Sequence, residues 1–391
     1  MEKRNSKIWL LAYIIFLSAL PPFTTDMYLP ALPKMVEQFH STVGMVNLTL
    51  VLFFIFFSAS ILIWGTLSDK FGRRPILLLC TVVYIVSSLF CAIAGDVYLL
   101  IIFRIFQAMG GGATVAVSMA IIKDVFEGKE RERALAFVSI FMVIAPITAP
   151  IIGAAILKIM SWRGIFIVLS GFGVIALAGA LLMYETALKT PDKSLIKTIG
   201  NLAKLLKNPG FSYPLPLFAL MSFPIFVFIG ASPDIYVSGF GLSEQSYSLF
   251  FGGNAIFGAL GPVVYMVVSR HCRTSRIIAS TFFLTLVSGL FIILLGNKGP
   301  FVFAFTLLPS TVAASMLRPP SANLLLEQGK EDAGAASSLM TFSFIFIGSL
   351  GMQFISLDWD NRIFILGLMY MIAGLSSLAL WPLAWKKCKT S

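Results

Sequence analysis

Apolar stretches of about 20 residues or more recur twelve times along this chain, separated by short polar turns. Each is long enough to cross a bilayer as a helix, and a helix satisfies its own backbone polar groups where water is absent. The apolar cores run over 8–37, 43–68, 75–94, 97–122, 134–157 and 162–184, then over 211–237, 244–268, 276–295, 300–326, 333–357 and 363–385. Only 12% of the residues are charged, about half the usual share of a soluble domain, and 58% are hydrophobic. The pattern predicts an all-α membrane protein of twelve spans. The stretch 186–210 is the long interruption, and it divides 1–185 from 211–391. Its Lys189, Lys193, Lys197, Lys204 and Lys207 alternate with Leu195, Ile199, Leu202, Leu205 and Leu206, which predicts an amphipathic helix along the inner leaflet.

A net charge of +11 invites a nucleic-acid reading, but the placement of the bases excludes it. Of the 29 Lys and Arg, 22 fall in the termini and alternate loops on one side, and the opposite loops hold only Lys34, Lys158, Arg163, Lys298 and Arg362. That asymmetry is the positive-inside rule, so both termini are expected in the cytoplasm. Lys3, Arg4 and Lys7 followed by 8–20 imitate a secretory leader, but no small-residue cleavage site follows and the segment reads as the first span. Cys80, Cys91, Cys272 and Cys388 show no disulfide framework, and His40 and His271 fall on opposite sides of the membrane, so no metal site is expected.

An ionisable side chain deep in a bilayer costs about 2.5–3.5 kcal/mol on insertion scales and needs a partner, a wet cavity or a function. Four qualify: Asp26, Arg104, Asp234 and Arg318. Ser18, Pro22, Asp26 and Pro30 share one face of span 1, and the prolines loosen the hydrogen-bond ladder beside the carboxylate. Counting about 1.5 Å per residue from the outer ends puts Asp26 roughly 16 Å deep and Arg104 roughly 11 Å. An arginine can bridge that offset, so the two are expected within hydrogen-bonding distance, directly or through water, in at least one state of the protein. Arg104 keeps its charge while the carboxylate titrates, so Asp26 is the candidate proton carrier. Arg104 bonded only to helix carbonyls is the competing reading. Asp234 lies near the outer end of span 7, either as an interfacial cap or a ligand contact. Tyr28 and Tyr236, with the amides Gln107 and Asn254, would suit a moderately apolar aromatic compound.

Three further motifs carry a family resemblance. Between spans 2 and 3, residues 65–75 contain Gly65, Asp69, Gly72, Arg73, Arg74 and Pro75. Span 4 carries Arg104 ahead of Gly110-Gly111-Gly112. Span 5 carries Pro146, Pro150 and Gly153, small residues and prolines that permit close approach and a bend. Together they resemble the major facilitator superfamily, and with 25–33 around Asp26 they resemble its bicyclomycin and chloramphenicol resistance subfamily of drug:proton antiporters. Ala149 and Ala154 depart from that pattern, which usually has glycine there, and the counterpart loop at 269–273 keeps its bases without the glycines or the aspartate.

The resemblance implies two six-helix bundles of inverted three-helix repeats with a ligand site between them. It implies proton-coupled efflux of small amphipathic compounds such as phenicols by a monomer in the bacterial inner membrane, with the proton as coupling ion and no other cofactor. Asp26 and Arg104 would couple protons; Tyr28, Gln107, Asp234, Tyr236 and Asn254 would join them at the substrate. Gly65, Asp69, Gly72, Arg73, Arg74 and Asp124 would form a cytoplasmic gate, Arg73 pairing with Asp124 and Asp69 facing the start of span 11 near Asp332. The alternative is a proton-coupled transporter of a physiological metabolite, such as a sugar or amino-acid derivative. An enzyme is disfavoured, since no His pair, metal cluster or serine-nucleophile constellation is present.

Overall fold

The computed structural model describes residues 2–187, 195–329 and 333–390, and every regular element among them is helical. Twelve helices are long and apolar enough to cross a membrane. Spans 1 to 6 are Lys7–Gln38, Val43–Phe71, Arg73–Ile93, Val97–Val125, Gly128–Ile159 and Trp162–Leu182. Spans 7 to 12 are Pro209–Gly239, Glu244–Val268, Thr274–Lys298, Pro300–Gln328, Gly334–Ile355 and Arg362–Lys389. Span 5 begins six residues before its expected apolar core, because Lys129 to Arg133 are good helix formers and Glu130 accepts a 2.8 Å hydrogen bond from Lys7.

The chain forms two compact units, Met1–Ser41 with Leu48–Lys197, and Thr42–Asn47 with Thr198–Ser391. In the first, Leu10, Ile14 and Leu17 of span 1 pack with Leu77 and Tyr84 of span 3, Val117 and Ile121 of span 4, and Ala176 and Ala180 of span 6. In the second, Phe211 and Phe218 of span 7 pack with Phe282 of span 9, Leu317 and Leu325 of span 10, Leu339 of span 11 and Trp381 of span 12. The first turn of span 2 belongs to that second unit, with Asn47 donating to the Gly230 carbonyl at 2.9 Å and to Ser356 Oγ at 2.7 Å. Lipid is as apolar as leucine, so interior faces are marked less by hydrophobicity than by small and hydroxylated residues. Span 3 shows the contrast: Thr81, Ser87 and Ser88 point inward while Leu79, Val82, Val86 and Leu89 are exposed. Each of those hydroxyls bonds a carbonyl one turn earlier in its own helix.

Span 1 is a helix to Asp26, a turn at Met27 and Tyr28, a short 3-10 turn Leu29–Ala31, and a second helix Leu32–Gln38. Pro30 has no N–H to offer the Asp26 carbonyl and ends the ladder there. Span 7 is broken likewise: prolines divide it into Pro209–Ser212, Pro214–Leu220 and Phe223–Pro233, followed by a π-helical turn Asp234–Gly239. The single helix expected over 211–237 is therefore a jointed one.

The interruption between the units contains the helix Leu195–Lys207. Leu202 and Leu205 pack on the second core, so that much of its apolar side is covered by protein, while Leu206 is exposed. Lys189 and Lys193 lie outside the described residues.

Span 5 crosses span 1 at the break. A Cβ on Gly153 would collide with the Met27 carbonyl, so the helices touch there only because no side chain intervenes. Ala149 and Ala154, where the resembled motif has glycine, are fully buried beside it and are tolerated. Gly153→Ala is expected to cost about 1–3 kcal/mol through overpacking, read as a lower thermal midpoint of the detergent-solubilised protein. An unchanged midpoint would show that the two backbones can separate freely.

Candidate functional site

Asp26 is the last residue of the first helical segment of span 1 and is buried. Its Oδ1 accepts from Thr25 Oγ1 at 2.9 Å. That hydroxyl also lies 3.2 and 3.3 Å from the Pro21 and Pro22 carbonyls, so one proton has three acceptors and serves one at a time. Because the helix stops at Asp26, the Thr24 carbonyl is left for another donor, and Arg104 Nη1 reaches it at 3.2 Å.

Arg104 has no exposed surface at all. Nη1 also donates to Gln107 Oε1 at 2.7 Å, one turn on; Gln107 Nε2 donates to Ser88 Oγ at 2.7 Å, and Ser88 Oγ donates to the Tyr84 carbonyl at 2.6 Å. Tyr84 Oη closes the chain to Thr24 Oγ1 at 2.6 Å. Around the guanidinium stand the rings of Phe53, Tyr28 and Phe166, their centroids 4.3, 5.0 and 5.8 Å from Cζ. Tyr28 packs on Phe166 and bonds Thr49 through its hydroxyl at 2.9 Å. Nε and Nη2 have no hydrogen-bond partner.

The structure thus gathers Asp26, Tyr28, Arg104 and Gln107 within the first unit, but Arg104 makes no hydrogen bond to Asp26. Both residues address the same turn of span 1, Asp26 by its side chain and Arg104 through the Thr24 backbone. The alternative of Arg104 bonded only to helix carbonyls is not what is found either, since Gln107 and three rings share the charge. Gln107 is itself buried and fully engaged, so it positions Arg104. Thr24, Thr25, Phe53, Ser88 and Phe166 were not singled out from sequence; the two threonines directly before a proline-flanked aspartate were the available signal.

The remaining candidates lie in the second unit. Asp234 forms an ion pair with Arg362 at the start of span 12. Tyr236 is buried in an aromatic cluster, stacked on Phe250 at 4.9 Å and set edgewise to Phe303 at 5.4 Å. Asn254 of span 8 accepts from Thr311 of span 10 at 2.8 Å. These three are separate arrangements, and the first two hold together the C-terminal end of a jointed span.

In the 65–75 hairpin, Arg73 Nη2 pairs with Asp69 at 2.6 Å, Nε with Asp124 at 3.0 Å, and Nη1 donates to Ser68 Oγ at 2.7 Å. Gly72 has φ of 104°, which glycine adopts readily and other residues rarely do. Glu185, at the end of the first unit's last span, was not foreseen. It accepts from the backbone N–H of Arg73 and Arg74 at 2.8 and 3.1 Å, capping span 3 from outside. Arg74 returns the contact by donating to the Ala180 and Leu181 carbonyls at 3.3 and 2.8 Å. Asp332, the expected neighbour of Asp69, lies outside the described residues, and a Cβ on Gly65 would meet nothing.

These features define a polytopic membrane protein of two helical units with a buried, broken-helix charge centre. The chain belongs to the Major Facilitator Superfamily, whose family model matches residues 14–352. Among curated relatives it is 28% identical to the uncharacterized MFS-type transporter YdgK of Bacillus subtilis, over 95% of each chain. It is 28% identical to a bicyclomycin resistance protein homolog of Haemophilus influenzae, over 66% of this chain and 65% of that one. It is 29% identical to a chloramphenicol resistance protein of Pseudomonas aeruginosa, over 59% of this chain and 55% of that one. Among solved structures, a peptide transporter, POT, in complex with sulfate superposes with a TM-score of 0.77 at 14% identity, covering 97% and 95% of the two chains. A D-xylose-proton symporter superposes with a TM-score of 0.71 at 17% identity, covering 97% of each. The fold is the superfamily's, and the protein is a transporter.

Arg104→Lys tests the cage. A lysine ammonium is a point charge that cannot serve the Thr24 carbonyl and Gln107 in one plane while facing three rings. The expected loss is about 1–3 kcal/mol of stability, visible as a lower unfolding midpoint, with a smaller drop for Gln107→Leu. Equal midpoints for wild type and the lysine variant would contradict the geometry.

Proposed function

We propose that this transporter is a proton-coupled antiporter of the inner membrane that exports small amphipathic compounds, phenicols among them, by alternating access. The observation that carries the reading is Asp26: a buried carboxylate at the break of a membrane helix, its only side-chain partner among the described residues a neutral threonine that has other acceptors to turn to. A carboxylate in that setting can exist with or without its proton, and nothing bonded to it fixes which. The neighbouring Arg104 cage keeps a permanent positive charge at the same turn, so the local field changes sign of balance when Asp26 releases its proton. The similarity to a bicyclomycin resistance homolog and a chloramphenicol resistance protein supports drug-like cargo.

In this reading Asp26 takes a proton from the outside and delivers it inward, and cargo occupies the centre when the proton has left. Each charge moved inward gains about 2.3 kcal/mol per 100 mV, to which a pH gradient adds, so one or two protons sustain substantial export. The Arg73, Asp69 and Asp124 cluster acts as the cytoplasmic latch, remote from cargo.

Purified protein reconstituted in liposomes, with an imposed pH gradient and radiolabelled chloramphenicol, tests the coupling. Wild type is expected to accumulate the drug against its gradient, while Asp26→Asn loses uphill transport and keeps downhill exchange. Full gradient-driven accumulation by the asparagine variant would remove Asp26 from the proton path.

A further inference from the structure

Arg318 has no role in the arrangements above, yet it sits ten residues, about 15 Å, from the inner end of span 10. Its side chain makes no hydrogen bond or ion pair among the described residues; its only side-chain contact of note is with the ring of Phe344 on span 11, 5.2 Å from Cζ. It does not reach the carbonyls of Ser315 and Met316, which Pro319 and Pro320 leave without a helical donor. Despite that depth Arg318 is exposed. That exposure lies off the stripe of exposed apolar side chains on span 10. Thr311, Ala314 and Leu325, one and two turns away on the same face, are buried, whereas the exposed Phe301 and Phe305 mark a stripe roughly a third of a turn around the helix. The nearest acid along the span, Glu327, accepts from Asn323 at 3.0 Å, and Asp234 is already paired with Arg362. Among the described residues the second unit therefore presents an accessible guanidinium without an acidic partner beside an aromatic ring, two turns along span 10 from the Asn254 and Thr311 pair that joins spans 8 and 10.

We propose that Arg318, backed by Phe344, is an anion-recognition site that takes the carboxylate of a transported compound whose apolar body lies against the ring. The assignment deepens the export reading and rests on it: it narrows amphipathic cargo to include organic acids. A guanidinium offers two parallel N–H donors to a carboxylate and tolerates an aromatic face at the same time, which a lysine does not. An uncharged amide of the same shape offers one acceptor and no charge.

The test compares 2-naphthoate with 2-naphthamide, a pair equal in ring and size, by calorimetric titration of the purified full chain in detergent at about pH 7.5, where the acid is ionised. Wild type is expected to bind the acid on the order of tenfold tighter than the amide or better. Arg318→Gln should lose that preference while keeping its affinity for the amide, which also shows that the variant is folded. Arg318→Lys should keep part of the preference, and Phe344→Leu should weaken both ligands. Equal affinities in wild type, absence of naphthoate binding, or a preference that survives Arg318→Gln overturns the proposal. The titration is at equilibrium without a proton gradient, so its outcome does not depend on coupling. A failed coupling assay with an intact Arg318-dependent preference would therefore refute antiport and leave this site standing; the converse result would do the opposite.

Discussion

Arg104 stays charged and dry inside the first unit because span 1 stops being a helix at Asp26. An intact ladder would have used the Thr24 carbonyl internally; the break releases it to a guanidinium from span 4. Insertion of such a charge costs about 2.5–3.5 kcal/mol. A hydrogen bond to a charged group returns about 1.5–3 kcal/mol and each desolvated cation–π contact up to about 2, so two bonds and three rings offset the cost without an acidic partner. The break in turn depends on Pro30 and on the bare backbone of Gly153, which lets span 5 lie against the Met27 carbonyl. Charge, break and glycine form one dependent set, and Asp26 is held within it.

The second unit handles its charges differently. Asp234 is answered by Arg362, one carboxylate to one guanidinium, where the π-helical end of span 7 meets span 12. Tyr236 beside it is held by rings. Both bundles use aromatic faces near cations, but among the described residues the buried carboxylate bonded by nothing stronger than a hydroxyl is Asp26, in the first. That asymmetry underlies the proposals of proton chemistry at Asp26 and ligand recognition at Arg318.

The twelve spans were legible because a 20-residue apolar run admits few structures other than a transmembrane helix. Pro21, Pro22 and Pro30 announced trouble in span 1, although they did not say that the helix would end at Asp26. Hydrogen bonding of Asp26 with Arg104, directly or through water in at least one state, is what depth along two ideal helices predicts. The break tilts that count, and depth says nothing of azimuth, so the arginine found the backbone two residues earlier. Tyr28 was read as facing a ligand, yet it is a wall of the Arg104 cage, since aromatic residues look alike in sequence whether they meet a drug, a cation or a leucine. Glu185 was invisible for another reason: its partners are backbone N–H groups over 110 residues earlier, and no side-chain pattern records a cap supplied from so far away. Arg73 with Asp124 came through the motif resemblance, which carries knowledge that spacing alone does not.

Span 5 is gripped at two places, by Ala134 and Val138 in the core near its first turns and by Ala149, Gly153 and Ala154 against span 1. Between them Ser139, Ile140, Phe141, Met142, Val143 and Ile144 are exposed, which is more than a full turn. Those six side chains contribute less to packing than the fixed points on either side, so their chemistry can drift at little cost to the fold. In a superfamily that reuses one scaffold for many cargoes, such a stretch is where new preferences can accumulate while the fixed points on either side keep the architecture constant.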